Sequence, residues 1–390
     1  MPPMAHAAEA RRIHAAVIGT GFVGPHHVDA VRRAGYADVD VIVGSDPGRT
    51  ARRAEELGVG RWSTDVDAVM GDPRIDAIHI CTPNDTHVAL ARATLEANKH
   101  LVLEKPIAID RAGADELVAL AARSGRHAMV ALTYRGYPMV RRARRAVADG
   151  EVGEIRLIRG NYIQDWLADP ADYNWRVDPE LGGRSRAVAD IGTHWFDTAE
   201  FVTGLRVEAV LADFATLIPT RMRSLGGSVA FSSGAGPVES VQVRSEDAAT
   251  ILLRFEGGVR GACVVSQVST GHKNAMDLHV DGALRSLAWD QEAPERLWLR
   301  ARHETRLLGR DPGGQKPDFG IPSLPAGHPE GWGEALRDLL RPFYAAVASG
   351  EAPSLGDAPY PTLKAGARSI AFVEAAIQSS ASSSWVSLDP

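Results

Sequence analysis

Cysteine is nearly absent: Cys81 and Cys263 are the only two in 390 residues. Two thiols cannot build a disulfide framework or a thiolate metal cage, and they suit a reducing cytoplasm, the expected location. Lysine is almost as scarce, five of 43 basic residues, so a lysine inside a motif carries more weight than an arginine. No apolar run approaches the roughly 18 residues of a spanning helix. Met1–Arg12 lacks the hydrophobic stretch of a signal peptide and reads as a frayed tail. Positive charge is not in excess either. Against 43 Lys and Arg stand 49 Asp and Glu, a formal charge of −6, the wrong bias for a nucleic-acid coat or a polybasic membrane binder. Neither partner is expected.

What is present is material for a large core. Hydrophobic residues make up 45% and charged residues 24%, an ordinary globular balance. From Ile13 to about Leu132 short apolar runs (Ile13–Ile18, Val39–Val43, Ala77–Cys81, His100–Leu103, Ala128–Ala131) alternate with helical stretches at Arg49–Leu57, Thr86–Ala97 and Arg111–Ala122. That alternation predicts βαβ units and a parallel sheet. After about Tyr134 strands dominate: Glu154–Ile163, Val207–Phe214, Ala249–Phe255, Arg260–Val268, Asp277–Val280, Ser286–Trp289 and Arg296–Leu299. A helix is expected over Asp190–Val202, a tight turn at Phe255–Val259, and helices at Trp332–Ala348 and Leu363–Ser379. Thr220–Gly236 and Gly309–Pro329, rich in Gly, Pro and Ser, read as loops. The boundaries are a tail at 1–12, a first domain at 13–133 and a second at 134–390.

Gly19-Thr20-Gly21-Phe22-Val23-Gly24 follows the first strand and opens a helix. Gly19 permits a tight turn, Gly21 lets the backbone approach a pyrophosphate, and Gly24 lets helix and strand pack closely. The helix N-terminus at Phe22 and Val23 would offer amide donors to the phosphates. A plain glycine-rich turn has the same letters; the strand–turn–helix context favours a dinucleotide site. An acid at the end of the second strand would hold the ribose 2′-hydroxyl of NAD, and Asp46 lies 22 residues past Gly24. Yet Gly44 takes the usual strand-end position, Ser45 and Arg49 could cradle the 2′-phosphate of NADP, and Asp46 could simply be a helix N-cap. NAD is expected, NADP the alternative.

Three further motifs occur in order: Thr82-Pro83-Asn84 with His87, Glu104-Lys105-Pro106, and Asp190-Ile191-Gly192-Thr193-His194 with Asp197 one turn on. Together with the glycine turn they resemble the Gfo/Idh/MocA family of sugar and cyclitol dehydrogenases. Gln164-Asp165-Trp166, residues 185–190, Ser266–Asn274 and residues 328–332 are similar to pyranose-acting, levoglucosan-type 3-dehydrogenase members. The resemblance implies an N-terminal Rossmann parallel sheet and a C-terminal domain on a large, mostly antiparallel sheet. It also implies NAD(P)-dependent oxidation of a secondary hydroxyl of a pyranose, glycoside or cyclitol. Cofactor contacts are implied at Thr82, Pro83, Asn84, His87, Glu104 and Lys105, and pairing of copies through the outer sheet face into a homodimer or homotetramer. The alternative is an NAD-recycling hydrolase or epimerase that passes through a transient keto-sugar.

The chemistry can also be argued from side chains. Oxidising an alcohol needs a base for the hydroxyl proton, and a histidine titrates in the right range. Asp190 precedes His194 by four residues, so on an α-helix both share a face, and Asp190 could orient the imidazole and raise its pKa. Spacing alone fits a capping Asp beside a half-buried His; the resemblance favours catalysis. Lys105 stands at a strand's carboxyl end, where open α/β sheets place ligands, and its ammonium could polarise the reacting oxygen. The family's Lys–Pro bond is commonly cis. Tyr134, Arg135, Gln164, Asp165, Trp166, Trp175 and Arg176 suit a carbohydrate pocket, although the aromatics would serve a core equally well. Arg184 and Arg186 read as solvated loop residues. One imidazole among Asp190, His194 and Asp197 is too few for a metal.

Overall fold

Short β-branched and aliphatic runs in the first 130 residues leave no polar face for solvent, so helices must cover both sides of the sheet they form. In chain order the elements are β1 (Ile13–Ile18), α1 (Val23–Ala34), β2 (Ala37–Val43), α2 (Pro47–Glu56), β3 (Arg61–Ser63), α3 (Val66–Met70), β4 (Ala77–Ile80), α4 (His87–Glu96), β5 (His100–Leu103), α5 (Arg111–Ser124) and β6 (Ala128–Val130). The six strands are parallel in the order β3-β2-β1-β4-β5-β6, the Rossmann arrangement. Asp46, Asp65 and Asp110 cap α2, α3 and α5 through side-chain bonds to the amide three residues on, as short acids do at helix starts. The computed structural model describes residues 11–224, 237–310, 324–325, 327–356 and 358–388. The expected tail and both expected loops lie partly or largely outside the described residues.

The second half continues with α6 (Pro138–Ala148), β7 (Ile155–Ile163), α7 (Pro179–Gly182), α8 (Thr193–Thr203), β8 (Val207–Ala215), β9 (Thr220–Ser224), β10 (Val238–Gln242), β11 (Ala248–Phe255), β12 (Arg260–Ser266), β13 (Ala275–Gly282), β14 (Ser286–Asp290), β15 (Arg296–Arg300), β16 (Thr305–Gly309), α9 (Trp332–Ser349), α10 (Leu363–Ser382) and β17 (Val386–Ser387). Nine of these strands form one sheet, β16-β15-β14-β13-β7-β12-β11-β8-β17. All its neighbours are antiparallel except β7 and β12. Gly257 and Gly258, at φ 70° and 78°, make the tight β11–β12 turn. Residues of α6, α8 and α10 pack on one face of this sheet, with Trp195, Phe196 and Phe372 fully or almost fully buried.

Two findings depart from expectation. Thr220–Ser224 is a strand, paired antiparallel with Val238–Gln242; its Arg- and Ser-bearing sequence masks a period-two ribbon. The chain also returns to the first domain. Leu336, Leu339, Leu340, Phe343 and Tyr344 of α9 join the core beneath α1, while Leu363 and Ile370 of α10 join the core on the opposite sheet face. Helical periodicity reveals such helices but not the layer they cover. Elements additional to those expected are β3, α3, α6, α7, β10, β16 and β17. Among the described residues no helix is long and apolar enough to cross a membrane.

Candidate active site

The glycine turn is shaped by contacts that exclude side chains. Gly19 sits at φ 117°, and a Cβ there would lie 2.4 Å from the Cys81 carbonyl oxygen. A Cβ on Gly24 would lie 2.1 Å from the Gly19 oxygen, whereas one on Gly21 would meet nothing within 4 Å. Gly19 and Gly24 therefore close the turn on itself, and Gly21 opens outward. Helix α1 has neither a side-chain cap nor an acid in its first turn, so its leading amides suit an anion. Phe22 is 56% exposed at this rim, with Val23 behind it.

Gly44 has a physical reason to replace the usual acid. A Cβ there would lie 2.4 Å from Thr50 Oγ1 and 2.8 Å from Thr20 Cγ2. The acid is displaced to exposed Asp46, whose Oδ1 accepts the Arg49 amide at 2.6 Å as the N-cap of α2. Ser45 and Arg49 are exposed beside it. Across the strand ends, Thr82 Oγ1 meets Thr86 Oγ1 at 2.6 Å after β4, Pro83 leads into a short 3-10 turn, and Asn84 Nδ2 donates to the Gly182 carbonyl at 3.4 Å. His87 is fully buried, with Nδ1 2.7 Å from the Pro106 oxygen and Nε2 2.9 Å from the Thr82 oxygen. Its ring braces two loops and offers no free atom to a cofactor.

The two domains meet at Lys105. Its peptide bond to Pro106 is cis, and its Nζ donates to the Asp190 backbone oxygen at 2.7 Å and to Asp190 Oδ1 at 2.9 Å. Arg176 Nε approaches the same Oδ1 at 3.3 Å, and Gln267 Nε2 donates to Oδ2 at 2.8 Å. Burial alone would raise the Asp190 carboxyl, but Lys105 and Arg176 hold it well below the ordinary carboxylate range. Asp190 is thus the anchor of Lys105, not of His194. The backbone here also departs from the α-helix assumed from sequence: Val188–Gly192 forms a π-helical turn before α8.

His194 lies half-buried behind the pair. Its ring packs edge-on against Tyr134 at 4.9 Å and near Tyr162 at 6.3 Å, and among the described residues it makes no side-chain hydrogen bond. Burial and then the Lys105 charge push the imidazole well below its ordinary value, outweighing Asp190. The expected rise toward or above neutrality is corrected accordingly. Its lone pair is free at ordinary pH.

The remaining expected residues divide into two groups. Tyr134 is buried beneath His194, its hydroxyl 2.6 Å from that of Tyr162, and burial raises both phenols. Arg135 grips both oxygens of Asp197 at 2.8 and 2.5 Å. Both residues support the site rather than face it. Gln164 donates to Asn274 Oδ1 at 2.7 Å and accepts from Trp166 Nε1 at 2.9 Å, while Asp165 pairs with Lys273 at 2.7 Å. The Arg176 guanidinium lies over the Trp175 ring at 4.4 Å. Arg184 pairs with Glu374. Arg186 corrects the solvated-loop expectation: it is fully buried and paired with Asp247, which also holds buried Arg221 at 2.8 Å.

Gln267 was not singled out by sequence reasoning. It is fully buried, and its Oε1 has no partner. The signal was available in the alternation of β12: Gly261, Cys263 and Val265 face inward, so parity carries Gln267 to the same face. Among the described residues no group of three or more His, Cys, Asp or Glu is placed to hold a metal ion.

Comparison with known proteins matches this geometry. Residues 13–132 match the family model of an oxidoreductase family with an NAD-binding Rossmann fold, and residues 140–287 the GFO/IDH/MocA C-terminal domain. The chain is 29% identical to levoglucosan dehydrogenase of Pseudarthrobacter phenanthrenivorans, covering 96% of this chain and 98% of that protein. A structure of levoglucosan dehydrogenase in complex with NADH and levoglucosan superposes with a TM-score of 0.87 at 27% identity, covering 97% and 100% of the two chains. An inositol dehydrogenase homologue from Azotobacter vinelandii, complexed with NAD+, gives 0.84 at 28% identity, covering 97% and 98%.

Proposed function

The chain belongs to the Gfo/Idh/MocA family of NAD-dependent sugar and cyclitol dehydrogenases, and we propose that it oxidises a ring secondary hydroxyl of a pyranose, glycoside or cyclitol to the ketone. The observation that carries this reading is the Lys105 side chain anchored 2.9 Å from Asp190, beside a histidine whose ring nitrogens make no hydrogen bond among the described residues. Gly19, Gly21 and Gly24 would hold the pyrophosphate, Asp46 the ribose, and Thr82, Pro83, Asn84 and the Glu104-Lys105 turn the nicotinamide half. When bound, NAD supplies the two-electron acceptor. Lys105 donates to the reacting oxygen and favours its alkoxide. His194, neutral because burial and Lys105 disfavour its cation, accepts the hydroxyl proton. Asp190 keeps Lys105 aimed. Gln164, Trp166, Trp175 and Arg176 are assigned to the sugar's faces and hydroxyls. Asp165 is assigned there too, in its Lys273-paired form.

Pyranose substrates are favoured over open-chain polyols by the levoglucosan-type relatives, each matched over nearly the whole chain. Leu157, Leu252, Val264, Trp298 and Leu307 remain exposed on strands of the nine-stranded sheet, and we assign that outer face to the pairing of copies. A homodimer or homotetramer follows, readable by light scattering.

The test is a panel of anhydrosugars, pyranosides and inositols assayed for NADH and NADPH formation. NADH should accumulate with at least one cyclic substrate, and failure with all would remove the reading. His194→Ala should lower kcat/KM by about 10²–10⁴-fold. Since the His194 imidazole is depressed, the wild-type rise of kcat/KM with pH should lie below neutrality. A limb above neutrality that survives in His194→Ala would place the base elsewhere.

A further inference from the structure

Beneath the dinucleotide turn runs a hydrogen-bonded path that the proposed chemistry does not use. His27 on α1 and His79 on β4 are both fully buried. Their Nδ1 atoms lie 2.7 Å apart. His27 Nε2 is 2.8 Å from Glu104 Oε1, and His79 Nε2 is 2.5 Å from the Tyr344 hydroxyl of α9. Glu104 Oε2 in turn accepts the Lys105 amide at 3.2 Å. The path joins α9, β4 and α1 to the turn whose side chain crosses to Asp190.

Proton counting restricts what this path can be. Two Nδ1 atoms at that distance share one proton. If His27 carries both of its protons, it donates to His79 Nδ1 and to the Glu104 carboxylate, and His79 donates from Nε2 to the Tyr344 oxygen. A buried carboxylate then faces a buried cation, and each bond has one donor and one acceptor. Without that proton every bond can still be paired, with the Tyr344 hydroxyl donating to His79, His79 to His27 and His27 to Glu104, but Glu104 then has only neutral donors. The surrounding groups favour the charged form. Burial opposes it, but Cys81 and Glu104 hold the His27 imidazole above its ordinary value. Burial also raises the Cys81 thiol, so with that thiol neutral the pull on His27 comes from Glu104. Burial would raise Glu104, but His27 and Lys105 pull it down. His79 is pushed well below its ordinary value by burial and by His27. His26, next along α1, is the remaining titratable neighbour, and burial lowers it.

We propose that His27 is a positioning residue for alcohol oxidation: through Glu104 it fixes the Glu104-Lys105-Pro106 turn, so that Lys105 meets Asp190 across the domain boundary. This rests on the dehydrogenase reading of Lys105. Glu104 is held on one oxygen by His27 and on the other by the Lys105 amide, so a carboxylate freed from His27 can rotate and release that amide.

Two variants and one spectrum test it. His27→Gln keeps a donor for Glu104 but not the charge, and Tyr344→Phe removes only the hydroxyl at the far end. By loss of a charge-assisted bond, kcat should fall about tenfold or more in His27→Gln, and by a neutral one about two- to tenfold in Tyr344→Phe. NAD affinity, measured calorimetrically, should stay within about threefold, because neither change removes a bond worth more than that from the glycine turn. Two readouts need no turnover. Imidazole nitrogen NMR should show His27 doubly protonated at neutral pH. Amine labelling of Lys105, followed by mass spectrometry, should quicken in His27→Gln as its bond to Asp190 loosens. Unchanged kcat and labelling in folded His27→Gln, or a singly protonated His27, would overturn the proposal. If His27→Gln does not fold, an unchanged kcat in Tyr344→Phe or the NMR result decides. If the wild type oxidises no polyol, the dehydrogenase reading fails alone, since labelling and NMR still report on His27.

Discussion

The two sheets bury polar groups by opposite means. Around the parallel sheet the buried bases are mostly neutral histidines: burial depresses His79, His87 and His127 and drives half-buried His100 to about 3, while His27, paired with Glu104, is the exception. Under the nine-stranded sheet the buried groups are permanent ions. Asp247 holds Arg186 and Arg221 and also accepts the amides of Leu217 and Ile218, while Arg135 grips Asp197 and Arg368 grips Glu200. Glu246 is the exception there: burial raises its carboxyl, and it accepts only from neutral donors, the Ser185 hydroxyl and the amides of Arg186 and Val188. A neutral buried base is sensitive to protons, whereas a buried ion pair is sensitive to loss of a partner. The first domain should therefore be acid-labile and the second intolerant of substitution.

The largest effect should come from Asp247→Ala. It strands two fully buried guanidiniums, and breaking a buried pair costs about 3–5 kcal/mol. Urea unfolding should show that loss, and a change under 1 kcal/mol would mean that water replaces the carboxylate. Next comes Lys105→Met, which cuts the bond between the domains without touching either core. Turnover should fall about 10²–10³-fold, the usual effect of removing an oxyanion donor, with NAD affinity retained. Near-normal turnover would reduce Lys105 to a spacer.

The smallest effect is the pH response that separates the two sheets. For a histidine with a depressed folded pKa, the unfolded chain binds the proton first, so stability falls as pH drops below about 6.5 and keeps falling to the folded value. For His100 that window closes at about 3. His27 does not offset the loss. Its raised pKa contributes stability that is complete below its ordinary value and is lost only on the alkaline side. Each fully buried histidine should remove on the order of 1 kcal/mol per pH unit. Hydrogen exchange at pH 7 and pH 5 should show β4 and β5 losing protection before β12 and β13, and the reverse order would end the comparison.

Much of this was legible because period and punctuation were clean. Ile13–Ile18 and His100–Leu103 are found as expected, the glycine turn joins β1 to α1, and Lys105 meets Asp190 across the two halves. Less legible was anything depending on the partner across a gap. Asp190 and His194 read as a pair on α-helical spacing, but Asp190 sits in a π turn, and Lys105, 85 residues away, takes the carboxylate. Arg186 reads as solvated because its acid, Asp247, lies 61 residues on, in the bend before β11. Gln267 was visible only through sheet parity. The strand Thr220–Ser224 was hidden because a ribbon outside the core needs no apolar alternation.

Helix α9 has a consequence for how the protein is made. The face of the parallel sheet that carries α1 also packs Leu336, Leu340 and Phe343, about 300 residues downstream of β1. On a ribosome adding about 5–20 residues per second, the dinucleotide-binding half emerges complete in sequence but with that face of its sheet only part-covered, by α1. It must wait tens of seconds, while the whole nine-stranded sheet is synthesised, before α9 arrives to close it. The core of the first domain is therefore completed only by the far end of the message.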